Sequence, residues 1–343
     1  MTTGNDRNPG KNRNLGNIAH AGRTPIRKSS FISTRKVAVI GAGNVGASIA
    51  YALALRDIAR EIVLIDVDHQ KCIGEAEDIR HGVAGMGTAD LYAGTYADCA
   101  DCDLIIITAG RGRLPGETRL DLAGENVRIM RSVIDAIGPH YTRGVLLVIS
   151  NPVDILTLKA AEWMGLPDGR VFSSGCMLDT SRLVRSIADY TGLSTGVVSG
   201  YMAGEHGDGQ IPIWSRVTIG GIPIQEYCDG VGLPWNEEIR TGIADRVRGM
   251  GAKIIAAKGK THYGIATCVC ELADAVLNQR PTVTSVCSPL HGEHGVSGVA
   301  LSVPSVVGPA GVQQRIPELW TDAETLAFQA AAEKIRATLQ SLK

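Results

Sequence analysis

Aromatic residues are scarce in this chain of 343 residues, making up only 4% of it. Few platforms are therefore available for stacking bases. Neither sign of charge is in excess, since 34 Lys and Arg face 35 Asp and Glu for a net charge of −1. Without a long-range field, binding to nucleic acid or to an anionic membrane is not expected. There is no long apolar run and no secretory signal peptide, so a cytoplasmic protein is expected. The eight cysteines supply a single C-x-x-C, Cys99 and Cys102, with no second pair or nearby histidine to complete a zinc set. Asp98, Asp101 and Asp103 around it predict a polar surface turn, with reduced thiols and no metal site. Residues 1–34 lack apolar periodicity and read as a disordered tail. The partners left are a small-molecule substrate and further copies of the chain.

The stretch Lys36 to Gly46, K-V-A-V-I-G-A-G-N-V-G, carries a specific signal. An apolar run rich in β-branched residues stops at Gly41, and a helical pattern through Ala47, Ile49, Ala50, Leu53 and Ala54 begins just past Gly46. The glycines thus occupy a strand-to-helix turn. Gly41 permits the tight turn, Gly43 lets backbone approach a pyrophosphate, and Gly46 allows close helix–strand packing, with Asn44 and Val45 at the helix N-terminus. A second run, Glu61 to Ile65, ends in Asp66, whose carboxylate suits the two ribose hydroxyls and repels a 2′-phosphate, favouring NAD over NADP.

Beyond these, Leu91–Ala93, Leu104–Thr108 and Val145–Ile149 read as further strands alternating with helical patterns. Such alternation predicts an α/β fold, a Rossmann-type doubly wound parallel sheet, over residues 35–173. Ligands of such sheets sit beyond the strand carboxyl ends. Suspicion therefore falls on Thr108, Ala109 and Gly110 with the arginines Arg111, Arg113 and Arg119, and on Asn151 in S-N-P-V-D. Asn151 has an alternative reading as a helix cap. Asp179 and Arg182 lie one turn apart in L-D-T-S-R, as substrate groups or as a surface ion pair. His206 stands in G-E-H-G-D, a loop setting that suits proton transfer near neutrality. The same tetrapeptide recurs around His294, but between the runs Thr282–Val286 and Val299–Val303, so it reads as a hairpin connection. Helices near Asn236–Lys258 and Tyr263–Leu277 and from Thr321 onward, with those two strands clustered apart from them, make residues 174–343 an α+β substrate and catalytic domain.

From Arg35 onward these motifs, in this order, resemble the lactate/malate dehydrogenase family. The resemblance implies that His206 is the general acid and base, that Asp179 orients it, and that Arg119 polarises the substrate carbonyl. It implies that Arg182 grips a carboxylate, that Asn151 orients the carbonyl oxygen or the nicotinamide, and that residues 111–118 form a lid. It also implies NAD as cofactor and a homo-oligomer, dimer or tetramer. On specificity the motifs divide. Six residues before Arg119 the lactate enzymes carry Gln and the malate enzymes Arg, and here Arg113 stands; yet G-E-T-R-L-D-L and Thr261 are lactate-type. An L-lactate dehydrogenase type with substantial oxaloacetate activity is the expectation. The alternatives are a malate dehydrogenase and, more distantly, a non-catalytic NAD-binding protein.

Overall fold

The computed structural model describes residues 34–112 and 119–342, without the side chain of Arg119. The tail expected over residues 1–34 lies outside this set apart from Thr34, and so does Arg113.

The chain opens with strand β1 (Lys36–Ile40), helix α1 (Asn44–Leu55), β2 (Glu61–Ile65), α2 (His69–Gly82), β3 (Asp90–Ala93) and β4 (Leu104–Ile107). There follow α3 (Arg119–Ile137), β5 (Val145–Val148), α4 (Val153–Met164) and β6 (Val171–Ser173). The six strands pair in parallel in the order β3-β2-β1-β4-β5-β6. Buried on both faces, they are near-continuous apolar runs. Side chains alternate between the faces: Val37, Val39, Ile62 and Leu64 join one core cluster, and Ala38, Ile40, Val63 and Ile65 the other.

After α5 (Met177–Thr191) come short strands β7 (Val198–Ser199), β8 (Met202–Gly204), β9 (Gln210–Pro212), β10 (Thr218–Ile219) and β11 (Ile222–Pro223). Helices α6 (Ile224–Val231), α7 (Glu237–Lys258) and α8 (Tyr263–Leu277) follow, then β12 (Thr282–His291), β13 (Ser297–Gly308), β14 (Gly311–Arg315) and α9 (Asp322–Ser341). The family of strands does not divide into two sheets at the middle of the chain. Ser173 of β6 pairs antiparallel with Cys287 of β12, and β13, β8 and β9 extend the same sheet. An unpaired β6 edge would leave backbone donors and acceptors unsatisfied, and β12 covers it. Helix α8 in turn packs its apolar side, including Val269, Leu272 and Val276, into the core that contains α1 and the parallel strands. One sheet and one core cluster thus draw on both halves, while β11, β10 and β7 form a separate three-stranded sheet.

One expectation is corrected. Cys99 and Cys102 are fully buried rather than on a surface turn. Asp98 turns away to cap the 3-10 turn at Tyr96–Cys99, accepting from Thr95 N–H at 2.8 Å, while both thiols pack against the parallel sheet. Burial pushes the Cys99 thiol up to about 12 and Cys102 higher still.

Close contact at the glycine turn sets the geometry on which the site depends. Gly41 has φ +103°, and a Cβ on Gly46 would lie 1.8 Å from the Gly41 carbonyl oxygen. Gly46→Ala must push α1 off the end of β1, so it is expected to cost about 2 kcal/mol or more. A thermal unfolding midpoint equal to wild type would contradict this.

Candidate active site

Helix α5 begins where the parallel sheet meets the antiparallel strands. Its first turn is pinned on two sides: Cys176 N–H donates to Ser302 Oγ at 3.0 Å, and Thr180 Oγ1 accepts from Met202 N–H of β8 at 2.9 Å. Residues three apart share a helix face, so Asp179 and Arg182 project together. Arg182 donates to Asp179 Oδ1 at 2.9 Å. The loop after β8 brings His206 to the other oxygen, with Nδ1 2.6 Å from Asp179 Oδ2. Asp179 is 1% exposed and the His206 side chain 26%, so this is a buried carboxylate under a partly open imidazole, not a surface ion pair.

The electrostatics follow from this arrangement. Burial disfavours the charged imidazole, but the hydrogen bond and charge of Asp179, with the charge of Asp154 behind them, outweigh it and raise the His206 pKa. Burial likewise pushes Asp179 up, but His206 and Arg182 win and hold it below the usual carboxylate range. The second ring nitrogen of His206, Nε2, has no hydrogen-bond partner among the described residues.

His206 and Arg182 line a cleft of about 560 Å³ together with Val45, Thr108, Gly110, Asn151 and Thr261. Those residues come from the ends of β1, β4 and β5 and from the α7–α8 corner, and each was singled out in the sequence. Gly41, Gly43, Asn44, Gly46, Asp66, Ala109 and Asp179 lie around or behind the cleft rather than on its wall. Arg119 opens α3. Asn151 Oδ1 accepts from Val153 N–H at 3.3 Å, while Pro152 holds the N-cap position of α4.

The glycine turn fits a dinucleotide. Gly43 is the N-cap of α1 with no side chain to bond the first amides, and no heavy atom lies within 4 Å of where its Cβ would stand. A free helix N-terminus with open space before it suits a pyrophosphate. Asp66 closes the far side: its Oδ2 accepts from Ala42 N–H at 2.6 Å, tying the end of β2 to the turn.

Several residues at the site escaped the sequence reading. Asn126 is buried in the apolar stripe of α3 and bonds Arg111 N–H at 3.0 Å, Arg111 O at 3.1 Å and Asn151 O at 2.7 Å, joining the loops after β4 and β5. A lone amide in that stripe was its only signal. Leu178, Ile255 and Ile265 supply an apolar wall. Asp154, in the first turn of α4, accepts from His206 N–H at 2.9 Å. Among the described residues no group of three or more His, Cys, Asp or Glu could hold a metal ion, and no helix is long and apolar enough to cross a membrane.

Comparison with known proteins identifies the family. Residues 35–173 match the NAD-binding domain of the lactate/malate dehydrogenases, and residues 176–343 match their alpha/beta C-terminal domain. The chain belongs to the lactate/malate dehydrogenase family. It is 40% identical over 307 residues to an L-lactate dehydrogenase of Thermoanaerobacter sp. (strain X514), covering 90% of this chain and 99% of that one. An L-lactate dehydrogenase of Priestia megaterium is 38% identical over 305 residues, 89% of this chain and 96% of that one. The ligand-bound crystal structure of a minor L-lactate dehydrogenase from Enterococcus mundtii superposes with a TM-score of 0.87 at 38% identity, over 90% and 99% of the two chains. This family member is an NAD-dependent oxidoreductase acting on CH–OH donors.

The raised His206 pKa has a thermodynamic consequence. It contributes stability that is fully present below the unfolded value of 6.5 and is lost as pH rises through the folded value. The stability difference between wild type and His206→Gln, from urea denaturation, is therefore expected to be larger at about pH 5.5 than at about pH 9. A difference independent of pH would contradict the raised value.

Proposed function

We propose that this dehydrogenase interconverts a small 2-oxo acid and its L-2-hydroxy acid, with pyruvate and L-lactate as one pair and substantial activity on oxaloacetate. One observation carries the reading: a buried carboxylate holds an imidazole and a guanidinium side by side on the wall of a cleft that also takes in the end of the glycine turn. NADH, when bound, supplies the hydride. Arg182 pairs with the substrate carboxylate, for which its planar fork is suited. His206, held by Asp179 with Nε2 free of the described residues, delivers a proton to the carbonyl oxygen and takes it back in the reverse direction. Asp179 stabilises the imidazolium that this requires. Arg119 polarises the carbonyl and Asn151 orients it, roles that rest on sequence likeness.

Substrate choice is assigned to Arg113 and Thr261. Thr261 lines the cleft, and a guanidinium at position 113 matches a second carboxylate. Facing a methyl group in a closed site, the same charge is unfavourable. A homo-oligomer is supported by the large apolar side chains exposed on α1 and α8, Tyr51, Leu55 and Tyr263. A cytoplasmic setting is supported by eight cysteines that are all free thiols.

The deciding experiment measures kcat/KM with NADH for pyruvate and for oxaloacetate. Arg113→Gln is expected to lower the oxaloacetate value by about 30-fold or more while sparing pyruvate, the cost of unpairing a desolvated carboxylate. Equal losses for both substrates would remove Arg113 from the substrate pocket. Light scattering that reports a monomer at micromolar concentration would reject the oligomer.

A further inference from the structure

A second cavity, of about 250 Å³, opens at the opposite end of the parallel sheet from the cleft. Asp103, Gly144 and Arg170 on its wall immediately precede β4, β5 and β6, so the whole length of these strands separates it from the carboxyl ends. Leu166 and Pro167 of the α4–β6 loop, Val276 of α8 and Pro309 of the β13–β14 turn give it an apolar side. Backbone packing fixes where Arg170 stands. The preceding Gly169, at φ +80°, takes the Val312 N–H on its carbonyl at 2.9 Å, and a Cβ there would lie 1.9 Å from the Val312 oxygen.

The charges in this cavity do not balance. Arg143 pairs with Asp103, Nη2 to Oδ1 at 3.4 Å, and Asp103 also accepts from the Lys36 N–H and the Thr34 hydroxyl. Arg170, half-buried, forms no ion pair among the described residues. Its Nη1 donates to the Gly144 carbonyl at 3.3 Å, an oxygen that already takes a shorter bond from the Tyr141 hydroxyl at 2.8 Å. Asp168, two positions away, is held by both terminal nitrogens of Arg315. Two guanidiniums thus face one carboxylate, a surplus of one positive charge. Cations drawn partly out of water are ordinarily paired. The planar fork of Arg170 suits the two oxygens of a carboxylate, and the apolar side suits a hydrocarbon body. A volume below the roughly 300–1,000 Å³ of sites for drug-sized ligands restricts that body to a few carbons.

We propose that this cavity is a binding site for a small aliphatic monocarboxylate, whose carboxylate pairs with Arg170 while its hydrocarbon end rests on Leu166, Val276 and Pro309. A single negative charge cancels the surplus. A phosphate dianion would leave one charge over and offers nothing to the apolar side. The site is separate from the substrate cleft and does not depend on what the chain catalyses. Its occupant bridges the amino ends of the parallel strands to α8 and to the β13–β14 turn, so binding stabilises the folded chain.

The probe is butyrate, titrated into the full chain while the backbone amides of Gly144, Arg170 and Gln279 are followed by NMR. Saturable shifts with a millimolar Kd are expected. Acetate is expected to bind about tenfold more weakly, for want of two methylene groups, and inorganic phosphate more weakly than butyrate. Arg170→Gln is expected to weaken butyrate by about tenfold or more. Arg170→Lys keeps the charge without the fork and falls between; with the wild-type series it carries the test if Arg170→Gln does not fold. Butyrate should raise the thermal unfolding midpoint of wild type and of Arg182→Gln alike, but not that of Arg170→Gln. No saturation in wild type up to about 50 mM butyrate, or shifts confined to the cleft amides of Gly110 and Asn151, overturns the proposal. Phosphate binding more tightly than butyrate overturns the assignment to a monocarboxylate.

Discussion

Asp179 is a carboxylate with almost no access to water that binds an imidazole on one oxygen and a guanidinium on the other. Such a group is expensive to bury alone, and removing either partner would leave charge uncompensated. The surroundings must therefore hold three side chains from two elements in register. Helix α5 does so by being fastened at its first turn to β13 and β8, through Ser302 and Met202. Gly175, before that turn, is in the left-handed region at φ +46°, where a Cβ would lie 2.2 Å from Ser302 Oγ. The strain-free glycine allows the close approach, and the close approach sets where Asp179 points.

The same junction explains why the cleft draws on both halves of the chain. Open parallel sheets bind ligands beyond the carboxyl ends of their strands. Here the last parallel strand, β6, ends at Ser173, is joined by β12, and leads directly into α5. The His206 loop follows β8, which pairs with β13 in the continuing sheet, so the imidazole arrives at the sheet edge already occupied by the ends of β4 and β5. Asn126 then links the loops after those two strands by three hydrogen bonds. The glycine turn and the His206 loop thereby stand at the ends of strands of one continuous sheet.

The parallel strands were legible because burial on both faces writes them as unbroken apolar runs. Helix α8 was legible, close to the bounds expected for it. The long hairpin was not: β12 and β13 run to His291 and Gly308, well past the expected ends, because Ser288 and Ser305 are buried polar positions that interrupt the apolar pattern. The two- and three-residue strands from β7 to β11 are too short for any period to show. At the site, residues lying in contiguous motifs were found from the sequence. Asn126 was not, and Asp154, the last residue of S-N-P-V-D, was given no role of its own, since what matters for both is what they meet across the fold: a backbone carbonyl 25 positions away and an amide 52 positions away.

The repeated tetrapeptide shows how little the local sequence determines the chemistry. His206 and His294 both stand in G-E-H-G, and their environments push them in opposite directions. At His294 the backbone is left-handed, with φ 50°, and the ring stacks on Trp320 at 3.5 Å between centroids and meets the edge of Phe328. Burial lowers its pKa, and Glu293 and Glu318 act on it only through space. His206 is also penalised by burial, yet its pKa is raised because a carboxylate on a separate helix bonds the ring directly. Glycines around a histidine give it reach; an acid fixed 27 positions upstream, on α5, decides whether that histidine can hold a proton.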